Sequence, residues 1–378
     1  MADNTRMAYF DNLRSLVIFL VIVVHAASTY SGIGTWYYQE VEYKDLHFVD
    51  YAVYGTVSSF AQAWFMGLMF FIAAYWAANS LQKHGTVKFL KSKFLRLGVP
   101  LLAYVLVILP FTRFVIVADD GRTWEAIKDA CIDYYQTFRW LKAAGPLWFV
   151  EALLIFCIIY AAFRALFPRR DIYRTEWLNN RRLVIIVVAL TLISFVLRIW
   201  VSIEDKLYVF LIAFFPAYIA LFIMGIIAGE RKSLDYIAAP KNIKLCVWVI
   251  CTCVPLWIFI MIPGGALQGL TYHAGGWHWQ SFLYALWEIC FSILFNIGLV
   301  AFFKKHVNIS NKFTRLLAEN SFGVYVFHAL FVTLFPVLIK DLQVYTLIKF
   351  FIIIIATSVS TLAFTVAVRK IKIVKKIL

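Results

Sequence analysis

"YFDNLRSLVIFLVIVVHAASTY", residues 9–30, is apolar enough to cross a bilayer, yet it carries Arg14 near one end and His25 well inside. Read as a helix, its period decides where those two groups go. Eleven residues at about 100° each make three turns plus about 20°, so Arg14 and His25 share one face, about 16 Å apart along the axis. Asp11 lies about one turn before Arg14 and can orient its guanidinium. Taken singly, Arg14 reads as a surface anchor and His25 as a hydrogen-bonded core histidine. As an aligned pair they predict a first transmembrane helix with one polar edge, a cation at the membrane surface and an imidazole near mid-depth.

The rest of the chain has the same character. Its 378 residues are 63% hydrophobic and 15% charged, with a mean hydropathy of +0.79; soluble domains run about 45–50% apolar and about 25% charged. The excess is spread along the length, which excludes a soluble domain with a single anchor. Ten apolar runs of spanning length are predicted, at 14–34, 60–82, 98–118, 146–167, 183–201, 207–229, 245–262, 281–303, 321–339 and 346–367. With the N-terminus in the cytoplasm, 26 of the 36 lysines and arginines fall on the cytoplasmic side, while "EVEYKD" and "ADDGRTWEAIKDACID" place acids outside. That asymmetry gives an N-in, C-in orientation. It also accounts for the net charge of +15 without nucleic acid as a partner. The expected fold is all-α, a polytopic membrane protein of about ten helices, with residues 1–378 forming one membrane domain in the lipid bilayer.

Several features read blandly. Of the six cysteines, Cys157, Cys246, Cys251, Cys253 and Cys290 lie in predicted helices as small hydrophobes and Cys131 in an outer loop; no spacing suits a metal. The first apolar run is expected to be retained rather than removed as a signal peptide. Outer segment 119–145 mixes charges with aromatics and predicts an amphipathic surface helix. Segment 261–280 reads as an irregular outer loop whose Trp277 and Trp279 belong to an interfacial aromatic belt.

Ionisable groups inside spans cost about 2.5–3.5 kcal/mol at the helix centre on insertion scales, and so point to function. Here they are His25, Glu151, Glu288 and His328. Arg113 and Arg198, near outer helix ends, are expected to snorkel to the interface. The direction of each span puts all four groups in the middle-to-outer part of the bilayer. At similar depth they can satisfy one another as a structural ion-pair network, form a proton relay, or pair Glu151 with a histidine as an acid–base couple.

The order of these groups resembles a family. Arg14, ten intervening residues and His25 look like the first-helix signature of the membrane acyltransferase-3 family. "FLKSKFLRLGVPLL" (89–102) resembles its Arg-x-x-Arg-like motif before helix 3, "GPLWFVEALLIF" (145–156) its Trp- and Glu-bearing helix, and "ENSFGVYVFHALFV" (319–332) its late Tyr/His helix. "TWYY" (35–38) and "SFAQAWFMGLMFFIAAYWAANSL" (59–81) look most like the glucan-biosynthesis branch, whose members succinylate periplasmic glucans. Two departures stand out. Lys93 occupies a position where arginine is usual, which weakens bidentate phosphate contact, and Ala73–Ala74 replace the usual Ser-Gly after "FFI".

The resemblance implies a multi-pass O-acyltransferase of the inner cell membrane. It would take an acetyl or succinyl group from a cytoplasmic donor, acyl-CoA as co-substrate with no bound cofactor, to a carbohydrate hydroxyl facing outward. Arg14, Lys93 and Arg96 would hold the donor phosphates. His25 would be the general base, with Glu151 positioning it; His328 or Tyr325 would polarise the thioester carbonyl. Trp148, Glu288 and Tyr325 would line the acceptor cavity. The competing reading is a secondary transporter of a sugar or lipid-linked solute, with the intramembrane Glu and His residues as proton relay. Such folds show internal repeats and paired broken helices, and neither is evident. A non-catalytic partner in envelope polymer assembly would leave the buried carboxylates without a task.

Overall fold

The computed structural model describes residues 7–34, 36–119, 123–168 and 177–378. Among them ten helices are long and apolar enough to cross a membrane: α1 Ala8–Ser31, α2 Phe48–His84, α3 Thr86–Ile116, α4 Gly145–Leu166, α5 Asn180–Trp200, α6 Ile212–Glu230, α7 Pro240–Met261, α8 Trp279–His306, α9 Lys312–Leu338 and α10 Thr346–Val368. The strands described are a two-residue antiparallel pair, Lys206–Leu207 with Phe210–Leu211. The chain is an all-α polytopic membrane protein.

Two helices begin twelve residues earlier than hydropathy predicts. α2 has 37 residues, about 55 Å of helix against about 30 Å of hydrocarbon. Its added turns are held by long-range contacts: Tyr54 is fully buried with its ring 5.3 Å from that of Phe350, and Asp50, also buried, accepts from Thr346 at 3.4 Å. α3 starts at Thr86, so Lys93 and Arg96 sit on helix and not in a loop.

α3 is interrupted by wide π turns at Phe94–Gly98 and Tyr104–Ile108. Pro100 and Pro110 have no N–H for the carbonyls four residues back, and a π turn absorbs such a gap. The carbonyls left over are capped from outside. Tyr134 and Tyr135 donate to Val105 and Leu106, each at 2.6 Å. Both tyrosines belong to the surface helix Trp124–Gln136, which Thr123 caps at its N-terminus. Arg113 stacks over the Tyr134 ring at 5.4 Å. The amphipathic outer helix read from the sequence therefore exists, and it completes the backbone bonding of α3.

The chain divides into two compact units. The first comprises residues up to Leu13, Gln62–Phe89 and Cys157–Ser310. In it α6 packs closely on α2: a Cβ at Gly225 would overlap the carbonyl of Phe71, and one at Gly229 would come within 2.8 Å of the carbonyl of Tyr75. Cys251 is exposed while Cys157 and Cys253 are buried, so the small-hydrophobe reading fails for Cys251, which points away from the packed side of α7.

The same unit corrects the reading of Arg198. Instead of snorkelling, it is 0% exposed and ion-paired with Glu288, itself buried. Its guanidinium also lies 5.5 Å from the Phe214 ring and 5.7 Å from that of Tyr284. The segment after α7 explains this. Gly276 donates to the carbonyl of Arg198 at 2.8 Å and Ile203 to that of Ala274 at 2.9 Å, so the loop folds over the end of α5 and closes the route to water.

The second unit holds Arg14–Ala61, Leu90–Phe156 and Asn311–Leu378. α9 and α10 meet along a stripe of buried hydroxyl residues on α10, Thr357, Thr361 and Thr365, where a Cβ at Gly323 would overlap the Thr365 methyl. Ala26, Ala27, Tyr30, Tyr54, Phe350, Ile353 and Ile354 form its core.

The buried pair in the first unit makes a stability prediction. Glu288→Leu leaves Arg198 buried and unpaired, a loss of about 3–5 kcal/mol, whereas Glu288→Leu with Arg198→Met removes both charges. Thermal unfolding in detergent should show a large drop in Tm for the single variant and recovery of most of it in the double one.

Candidate functional site

Except for Glu288, the residues singled out from the sequence fall in the second unit. Arg14 and His25 lie on the unbroken helix α1. Arg14 donates to the Ser321 hydroxyl at 3.3 Å, and the ring centroids of His25 and His328 are 5.3 Å apart. Both partners are on α9, so α1 and α9 run side by side in the same sense. Arg14 and His25 are about 16 Å apart along α1, and Ser321 and His328 about 10 Å apart along α9; an arginine side chain directed inward spans the difference.

This pairing corrects the expected open edge. On the strip joining Arg14 to His25, Ile18 is 6% exposed and Val21 4% exposed, while Arg14 and His25 keep partial exposure. The strip faces α9, and its two polar groups stand at the ends of an apolar interface.

The surroundings of His25 are aromatic. Trp36 stacks on it at 3.9 Å with 21° between the ring planes, and Trp36 lies 6.3 Å from His328. With the 5.3 Å separation of the two histidines, these distances set a near-right angle at His25. Trp36 therefore covers one face of the imidazole and His328 stands beside it rather than under the opposite face. Glu151 is half-buried in the first turn of the α-helical part of α4, next to half-buried Trp148.

Trp36 arrives on the segment between α1 and α2, which is anchored along its length. Glu40 donates its N–H to the carbonyl of Thr29 at 2.9 Å. The Glu40 carboxylate accepts from Lys349 at 2.6 Å, and Lys349, buried on α10, also donates to the carbonyl of Lys340 at 2.8 Å. Tyr37 shares a 3.0 Å hydroxyl contact with Tyr104. Burial pushes the Tyr37 hydroxyl up to about 12, so it keeps its proton at neutral pH. Gly145, with φ +52, leaves no room for a side chain beside Tyr37.

His328 and Tyr325 are already committed. Nδ1 of His328 lies 2.6 Å from the Tyr325 carbonyl and therefore carries the proton that it donates there. In the neutral ring Nε2 is then a bare acceptor, buried and without a partner. The Tyr325 hydroxyl donates to the carbonyl of Pro146. Neither group offers a free hydrogen to a thioester carbonyl while it donates to these backbone carbonyls.

At the basic end, α9 offers two consecutive side-chain oxygens to two arginines. Ser321 accepts from Arg14, and Asn320 accepts from Arg369 at 2.9 Å. The hydroxyl of Ser321 donates to the carbonyl of Ala318, and the amide of Asn320 to that of Leu316. Each guanidinium thus has an uncharged acceptor on α9, aimed by that helix. Arg369 was hidden in the basic tail after α10, where it reads as one more positive-inside residue. Lys93 is half-buried and Arg96 exposed on α3. Glu288 lies in the other unit, in its ion pair with Arg198.

Residues 7–370 match the family model described as an acyltransferase domain, the acyltransferase-3 type. No curated protein and no solved structure matches the chain.

Tyr325 and Tyr37 both brace the turn at residues 145–146. Tyr325→Phe and Tyr37→Phe should each cost about 1 kcal/mol, and the double variant should deviate from additivity by at least about 0.5 kcal/mol. Thermal or denaturant unfolding of the three variants measures this, and strict additivity would contradict a shared brace.

Proposed function

The chain belongs to the acyltransferase-3 family, and we propose from that premise that it is a membrane O-acyltransferase with His25 as its general base. The donor is a cytoplasmic acyl-CoA and the acceptor a hydroxyl of an envelope or exported carbohydrate. The observation that carries the reading is the pairing of α1 with α9, which aligns an arginine at the basic end with two histidines deeper in. Arg14 and Arg369, brought to the same basic end of α9, bind the donor's phosphates. Lys93 and Arg96 add positive potential at that surface.

His25 takes the proton of the acceptor hydroxyl, and the oxygen attacks the thioester carbon. The C–S bond then breaks, and the departing thiolate recovers the proton from the imidazolium. His328, fixed with Nε2 bare, is the acceptor beside His25. Glu151 sets the polarity near the start of α4. Since Ile18 and Val21 are covered, the pantetheine arm requires α1 and α9 to part between Arg14 and His25. Succinylation of a periplasmic glucan is the narrower form of the proposal, and it rests on the likeness of residues 35–38 and 59–81 to that branch. Glu288, spent on Arg198, is a poor member of a transport relay.

His25→Ala should abolish acyl transfer in a folded, inserted protein. Arg14→Ala and Arg369→Ala should raise KM about tenfold or more for acyl-CoA, and leave it unchanged for an acyl-pantetheine lacking the nucleotide phosphates. Transfer assays on proteoliposomes with both donors test the assignment. Full transfer by the His25 variant would remove it as the base.

A further inference from the structure

General-base catalysis places a full positive charge on His25. The group that covers it is the indole of Trp36, 3.9 Å away and within 21° of parallel. A cation over an aromatic face within about 6 Å is attracted by the ring quadrupole, most strongly for tryptophan and most of all where water is excluded. We propose that Trp36 is the counter-group of the His25 imidazolium and that its π face stabilises the charge formed during acyl transfer. The inference rests on the reading of His25 as the base.

The geometry is suited to that task in two ways. First, the interaction is differential: a neutral imidazole gains little from the indole face, and the protonated one gains a cation–π attraction, so the gain appears in the transition state. Second, Trp36 is preorganised. Glu40 is tied to Lys349 and to the Thr29 carbonyl, and Tyr37 to Tyr104, so the ring is already in place when charge develops. The near-right angle between Trp36 and His328, seen from His25, leaves the face opposite Trp36 uncovered by either ring.

No bond to Trp36 forms or breaks. The proton passes from the acceptor hydroxyl to His25 and on to the leaving thiolate, with one ester bond made and one thioester bond lost. Trp36 acts through His25 and is a positioning and electrostatic residue.

Fluorinated tryptophans introduced at position 36 alone keep the shape of the ring and progressively weaken its quadrupole. Steady-state transfer from acyl-CoA should show kcat falling stepwise with each added fluorine, with KM for both substrates unchanged. Trp36→Leu should lower kcat by about tenfold to thirtyfold, and Trp36→Phe should fall between it and the unaltered protein. If kcat is flat across the fluorinated series, Trp36 only packs against His25 and the proposal is wrong. If instead His25→Ala transfers normally, the assignment of the base has failed. The two failures are therefore separable.

Discussion

An imidazole three turns up from an arginine on the same strip of a helix is a demand that lipid cannot meet. Each ionisable group left facing hydrocarbon costs several kcal/mol, so the strip must face protein. Here it faces α9, and the rest of the second unit follows from that. Ser321 and His328 stand opposite Arg14 and His25, and Gly323, between them on α9, lets α10 approach closely. α10 in turn delivers Arg369 to Asn320 at the basic end and Lys349 to Glu40 toward the other. Through Glu40, the packing of α10 holds the segment that lays Trp36 on His25.

The two units treat their polar groups differently. In the first, charges close on one another: Arg198 with Glu288, Arg164 with Glu230 and Lys304 with Asp235. Paired in this way they organise helices and have little left to give a substrate. In the second, Lys349 closes on Glu40, but at the candidate site Arg369 rests on a neutral oxygen, His328 keeps a bare nitrogen and His25 lies under an indole. Buried groups held in place without being neutralised are what acid–base chemistry requires.

Much of this was legible in the sequence, for identifiable reasons. Hydropathy located every span because the hydrocarbon thickness fixes helix length, and the 3.6-residue period aligned Arg14 with His25. It failed where long-range contacts decide. The outer turns of α2 are polar enough to read as loop and are helical because Tyr54 and Asp50 have partners on α10. Arg198 looked like a snorkelling residue because nothing local announces that a loop seventy residues later will cover it. Depth puts Glu151 in the same layer as His25 and says nothing of azimuth. Trp36 sits in the family-like "TWYY", and a tryptophan just past a span reads as an interfacial residue until a tertiary contact turns it inward.

The central claim is that the interface between α1 and α9 is the donor's path from Arg14 to His25. The most direct measurement is a structure of the protein in lipid with a thioether analogue of acyl-CoA, which cannot transfer its acyl group. The account predicts nucleotide phosphates beside Arg14 and Arg369, α1 and α9 parted at Ile18 and Val21, and the sulfur next to His25. An analogue bound elsewhere, with that strip still closed and His25 untouched, would contradict it.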